Sequence, residues 1–161
     1  MKPTVLFLCT GNSCRSQMAE GWLRHLAGSR FEVLSAGTNP GRVNPQAIKV
    51  MEEVGVDISR HRSKHVAEFQ GRRLHYVITV CDRAQASCPT EPRGDIRLHW
   101  SFDDPAHAQG SVPERLRVFR RVRDEISEQI QEWLRVADQL SESDSISLPQ
   151  VTWPQERKQV G

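Results

Sequence analysis

Cys9 and Arg15 stand in a Cys-x5-Arg arrangement, with Thr10, Gly11, Asn12, Ser13 and Cys14 between them and Ser16 following. Gly11, Asn12 and the small hydroxyl residues let a backbone curl until successive N–H groups point inward, and such a nest binds an anion. A helix opening at the end of the loop adds its dipole to that attraction. Arg15 supplies a planar fork matched to a tetrahedral oxyanion. Cys9, at the mouth of the same nest, is expected to be held as a thiolate and to serve as nucleophile. The spacing alone is a weak signal, because a cysteine also ends strands as a small hydrophobe and an arginine also sits in solvent. Position strengthens it: the loop follows an apolar run and precedes a helix. Ser16 reads both as a hydrogen-bond partner of the Cys9 sulfur and as a cap of that helix. Cys14 reads as packing within the loop.

Three further groups bear on chemistry. Asp104, just before Pro105 in a turn-rich segment, is placed to donate a proton to a leaving oxygen. Asp103 beside it is the confounder, and Asp-Pro is also ordinary turn punctuation. Cys81 and Cys88 are spaced poorly for zinc, whose cysteines come as Cys-x2-4-Cys. They read either as unrelated buried cysteines or as extra thiols for redox chemistry. His61 and His65 have the i,i+4 spacing of metal ligands, but no third ligand is near in sequence and no metal is expected.

The elements that must position these groups follow from periodicity. Thr4 to Cys9 reads as a buried strand. Met18, Ala19, Trp22, Leu23, Leu26 and Ala27 recur at helical spacing up to Gly28. Phe31 to Ala36 is a second strand, ended by Gly37. Asn44 with Pro45 starts a helix carrying Ala47, Ile48, Met51 and Val54, which stops at Gly55. Tyr76 to Cys81 and Asp95 to Trp100 are the third and fourth strands. Pro113 to Leu140 is a long amphipathic helix with a stripe from Leu116 to Leu140. The basic residues Arg115, Arg117, Arg120, Arg121 and Arg123 read as its solvated side. Strands alternating with helices predict an α/β fold, an open four-stranded, mainly parallel sheet with helices on both faces.

Composition sets the outer bounds. The chain has 161 residues, 37% hydrophobic and 26% charged, as expected of one soluble domain. We place that domain at residues 1–140 and a flexible tail at 141–161, with Trp153 its one candidate for docking. No apolar run approaches the ~20 residues of a membrane span, and the first apolar stretch is too short for a signal peptide. A cytoplasmic protein is therefore expected, without membrane contact. A net charge of +2 is too mild to imply a nucleic-acid partner. Four cysteines are few for a disulfide scaffold.

Residues 9–22, Ser35-Ala36-Gly37, Val43 to Ile48, Val77 to Cys81, His99 to Ala106 and Phe119 to Ile126 resemble the low-molecular-weight protein tyrosine phosphatase superfamily, and more closely its thioredoxin-coupled arsenate reductases. The resemblance covers about residues 3–135. It implies a low-molecular-weight phosphatase-like fold that binds arsenate or a phosphate-like oxyanion on residues 10–15. In the cycle that the resemblance implies, Cys9 attacks arsenic while Asp104 protonates the departing oxygen, and Cys81 then attacks the Cys9 sulfur as arsenite leaves. Cys88 takes over the disulfide, and thioredoxin, fed by NADPH, re-reduces the Cys81–Cys88 pair. No bound cofactor is implied, a monomer is expected, and weak phosphatase activity accompanies the reductase. If 82–88 is helical when reduced, Cys81 and Cys88 lie ~10 Å apart along the axis. A disulfide spans roughly 7 Å at most, so oxidation is expected to unwind or bend this segment. Some members bind potassium beside the loop through an Asn, a Glu, a Ser and an Asp. Asn12, Glu20 and Ser35 match, but Lys64 stands at the last position, where its ammonium is expected to replace the cation. The alternatives are a phosphatase acting on phosphotyrosine or small aryl phosphates, and a non-catalytic oxyanion or redox sensor. Ala106-His107-Ala108 lacks the tyrosines of the dedicated phosphatases.

Overall fold

The structure is a computed structural model that describes residues 2–80 and 92–143. Four strands, β1 (Thr4–Cys9), β2 (Glu32–Gly37), β3 (Tyr76–Thr79) and β4 (Ile96–His99), form one sheet in the order β2-β1-β3-β4. Every pairing is parallel, with Cys9 opposite Gly37, Leu8 opposite Thr79 and Thr79 opposite His99. The chain leaves β1 for one side of the sheet and later returns to its other side. The carboxyl end of β1 is thus the switch point, where open α/β sheets bind ligands.

Three helices accompany the sheet: α1 (Arg15–Ala27), α2 (Pro45–Glu53) and α3 (Val112–Ser143). Asn44 caps α2 by accepting from the Gln46 N–H at 2.8 Å, with Pro45 in the first turn. Helix α3 starts one residue before the expected point and runs three beyond Leu140; the rest of the expected tail lies outside the described residues.

Period-two alternation in β1 sends Val5, Phe7 and Cys9 into the core shared with α1, α2 and α3, while Leu6 and Leu8 join Ala36, Phe69, Leu74 and Val77 on the other face. The α3 stripe Leu116, Phe119, Val122, Ile126, Ile130 and Trp133 is buried. Each such side chain contributes about 2 kcal/mol by leaving water. Trp133 packs edge-on against Tyr76 at 5.2 Å and tilted against Phe31 at 5.4 Å, fixing α3 to the sheet.

Two expectations fail here. Leu26 is exposed, because it falls on the edge of the α1 stripe that meets solvent. Arg123 is buried rather than solvated: its guanidinium donates to the Val50 carbonyl at 2.9 Å and to Glu53 at 3.0 Å, joining α3 to α2. The long arginine stem lies along apolar surface while its head finds the open carbonyls at the end of α2.

Candidate active site

Cys9 is the last residue of β1, and its sulfur faces a loop that turns directly into α1. The Cys9 Sγ lies 2.9 Å from Ser16 Oγ and accepts the Asn12 backbone N–H at 3.2 Å. Asn12 Nδ2 donates to Ser16 Oγ at 2.8 Å, which leaves the Ser16 hydrogen to point at sulfur. Two donors converging on one sulfur suit a thiolate acceptor. Asn12, and not Gly11, takes the left-handed conformation the curl requires, at φ 48°. Asparagine tolerates that region when its side chain is anchored. Gly37, expected only as a strand stop, is also a seat for this loop: a Cβ there would lie 2.3 Å from the Thr10 carbonyl.

Ser16 does not cap α1. The N-cap position is Cys14, without a side-chain cap bond, so the hydroxyl of Ser16 is committed to Cys9 and Asn12. Cys14 is buried, and desolvation pushes its thiol up to about 12, with Asp104 adding in the same direction. It stays protonated at neutral pH and is a poor nucleophile beside Cys9.

A cleft of about 340 Å³ opens above the sulfur, lined by Cys9, Thr10, Gly11, Ser13, Cys14, Arg15, Asp104 and His107. Arg15 forms one wall, donating from Nη1 to the Phe102 carbonyl at 3.2 Å and pairing through Nη2 with Asp104 Oδ2 at 3.4 Å. The two aspartates are now distinguishable. Asp104 faces the cleft, whereas Asp103 turns outward to Arg121 of α3 at 3.0 Å. Phe102, fully buried, anchors the segment between them and the sheet.

Behind the loop lies a polar chain. Asn12 Nδ2 donates to Ser35 Oγ at 2.9 Å, and Ser35 donates through a short bond to Glu20. Glu20 also meets Arg24 at 2.5 Å, His61 at 3.8 Å and Lys64 Nζ at 3.7 Å. Lys64 is no solvated charge: its side chain is 11% exposed and its ammonium donates to the Arg62 carbonyl at 2.9 Å. Burial lowers the Lys64 ammonium from 10.5, while Glu20 holds it up. These residues do not fit a potassium ion. Asn12 Oδ1 is taken by the Lys64 N–H and Gln17, Ser35 is used in both directions, and an ammonium already faces Glu20.

Gln17 is a member of the site that the sequence reading missed. Buried in the first turn of α1, it donates to the Asn12 carbonyl at 3.1 Å and to the Arg62 carbonyl at 3.0 Å. Its only signal was its place directly after Ser16. His61 and His65 serve other partners than a metal. His61 meets Gln17 and Arg24, both at 3.0 Å, and burial lowers its imidazole, while His65 accepts the Ala67 N–H. No cluster of three metal-ligating side chains occurs among the described residues. Cys81 and Cys88 lie outside the described residues.

Comparison with known proteins agrees with this geometry. The family profile of low molecular weight phosphotyrosine protein phosphatase matches residues 4–145. The arsenate reductase of Halalkalibacterium halodurans is 48% identical over 129 residues, 80% of this chain and 93% of that protein. Among solved structures, an arsenate reductase in the phosphate binding state aligns with TM-score 0.71 at 36% identity, over 84% of this chain and 98% of that one. A thioredoxin-dependent arsenate reductase of Corynebacterium glutamicum aligns with TM-score 0.66 at 32% identity, over 87% of this chain and 63% of that one.

Proposed function

This chain belongs to the low molecular weight phosphotyrosine protein phosphatase family, and from that membership and the geometry of its cleft we propose that it reduces arsenate to arsenite. One observation carries the reading. The Cys9 sulfur sits under two hydrogen-bond donors in a cleft walled by Arg15 and Asp104. Among the described residues no Phe, Tyr or Trp lines the cleft, which favours a small inorganic oxyanion over an aryl ester.

In the proposed cycle arsenate lies in the nest of residues 10–15, its charge met by inward N–H groups and Arg15. Cys9 forms a bond to arsenic while Asp104 gives a proton to the departing oxygen, which leaves as water. Ser16 and Asn12 hold the sulfur in line. Cys81 then attacks the Cys9 sulfur; the sulfur–arsenic bond breaks, its electron pair stays with arsenic, and arsenite departs. Cys88 attacks Cys81, moving the disulfide to 81–88 and freeing Cys9. Thioredoxin, whose potential is low enough for the exchange, reduces that bridge. The thioredoxin dependence of the Corynebacterium glutamicum arsenate reductase supports this choice of reductant. Lys64 substitutes for a cation beside Glu20 and keeps the loop's polar chain neutralised. We further propose that the protein works as a monomer in the cytoplasm and hydrolyses aryl phosphates weakly.

Turnover of arsenate by the full chain with thioredoxin, thioredoxin reductase and NADPH tests the reading. Steady NADPH consumption is expected, and Cys88→Ser is expected to end multiple turnover while leaving aryl-phosphate hydrolysis nearly intact. Hydrolysis without arsenate-dependent NADPH consumption would make the protein a phosphatase. Neither activity, with oxyanion binding retained, would make it a sensor.

A further inference from the structure

His107 has no role in the cycle above, yet it lines the cleft beside the proton donor. It closes the short 3-10 turn Pro105–His107, three residues after Asp104, and its Nε2 lies 3.5 Å from Asp104 Oδ2. The Asp104 side chain is 18% exposed and that of His107 is 82% exposed.

The two oxygens of Asp104 are not equivalent. Oδ1 accepts the Ala106 N–H at 3.0 Å and caps the turn. Oδ2 faces Arg15 Nη2 at 3.4 Å on the cleft side and His107 Nε2 on the solvent side. Oδ2 is therefore the oxygen that carries a transferable proton, and among the described residues His107 is the neighbour able to supply it. Arg15 holds its protons permanently, whereas an imidazole exchanges them near neutral pH. Among the described residues, the other titratable groups lining the cleft are the Cys9 and Cys14 thiols of the loop; on the α3 side, Arg121 is paired with Asp103 and Glu125.

We propose that His107 is a proton relay that reloads Asp104 in each catalytic cycle. The proposal rests on the reading of Asp104 as the acid. When the sulfur–arsenic bond forms, Asp104 loses its proton from Oδ2 to the departing oxygen, which leaves as water. The His107 imidazolium then passes its Nε2 proton to Oδ2 and takes another from solvent; arsenic stays pentavalent throughout this step. The 3.5 Å gap closes by rotation of an exposed side chain, and catalytic hydrogen bonds commonly tighten only with substrate in place. His107 acts through Asp104 and is a positioning and relay residue, not one that touches arsenate.

The test is steady-state arsenite release over many turnovers, by the full-length protein with thioredoxin, thioredoxin reductase and NADPH in excess, at several pH values from ~5 to ~8. His107→Asn is expected to slow release about 5- to 10-fold, with added imidazole restoring the rate in proportion to its concentration. His107→Lys keeps a charge but holds its proton, and is expected to stay slow. The relay is overturned if His107→Asn matches the unaltered protein while Asp104→Asn is slow. It is equally overturned if His107→Asn is slowed alike at every pH without imidazole rescue, or if His107→Lys recovers full rate. Normal release by Asp104→Asn would instead overturn Asp104 as the acid, and no arsenite from the unaltered protein would overturn the reductase reading itself.

Discussion

At the scale of single residues, the site works by satisfying every polar atom of Asn12. Its N–H serves the Cys9 sulfur, its Nδ2 serves Ser16 and Ser35, and its Oδ1 accepts from Gln17 and the Lys64 backbone. That saturation holds a non-glycine residue at positive φ, a conformation that costs of order 1 kcal/mol on its own. Behind it, Glu20 is a buried carboxylate facing Arg24, His61 and Lys64. Leaving such a charge uncompensated is costly, and we propose that the Lys64 ammonium takes the task that a soluble cation would otherwise perform. The expected outcome is an arsenate turnover rate that does not change when potassium replaces sodium at fixed ionic strength. Lys64→Gln is expected to lower both the rate and the melting temperature. A clear acceleration of the unaltered protein by potassium would show that Lys64 does not fill the cation's place.

Between elements, a charged clamp joins α2 to α3. Glu53 accepts two bonds from Arg120, at 2.9 and 2.8 Å, and one from Arg123 at 3.0 Å. These bonds, Arg120 first, hold the Glu53 carboxyl down at about 2, against 4.5 ordinarily. A depressed carboxylate stabilises the fold above its unfolded value and loses that contribution as pH falls through the folded one. Glu53→Gln is therefore expected to cost about 1 kcal/mol at pH 7, a figure kept small because the carboxylate is one-third exposed and screened. The difference from the unaltered protein should shrink as pH drops from 4.5 toward 2, which urea unfolding at several pH values measures. A constant difference at all pH values would show that the clamp is packing and not charge. This contact also marks what the sequence could and could not reveal. The buried stripe of α3 and the Asn44-Pro45 start of α2 were legible because both follow from spacing along one element. Arg123 was misplaced among solvated arginines because its partners, Val50 and Glu53, belong to another helix whose packing angle no local pattern encodes. Gln17 was missed for the same reason: its acceptors are Asn12 and Arg62, and only the folded loop brings the latter near. Cys9, Arg15 and Ser16 were singled out by their place between a strand and a helix, whereas an Asp-Pro turn is ordinary punctuation and only the family resemblance favoured Asp104 over Asp103.

For the whole molecule, the question is how much chain the site requires. The sheet that presents Cys9 is complete by His99, and the last buried residue among those described is Trp133, whose ring meets Phe31, Tyr76 and Trp100. Beyond Trp133 the described surface of α3 offers little to bury: Leu134 is partly covered, and Asp138 makes an exposed pair with Arg30. The family profile ends at residue 145, and the phosphate-bound arsenate reductase structure is covered over 98% of its length by 84% of this chain. We therefore place the functional unit within the first 145 residues and treat the segment after it as dispensable for catalysis. A chain ending after residue 145 is expected to melt within about 2 °C of the full protein, the shift that a loss of roughly half a kcal/mol produces at this size. Its arsenate turnover is expected within about twofold, a barrier change under half a kcal/mol. Trp153 provides the counter-case, since an indole docked on the domain would withdraw apolar area worth about 2 kcal/mol. A melting temperature lowered by many degrees, reproduced by Trp153→Ser in the full chain, would mean that the last segment belongs to the folded unit after all.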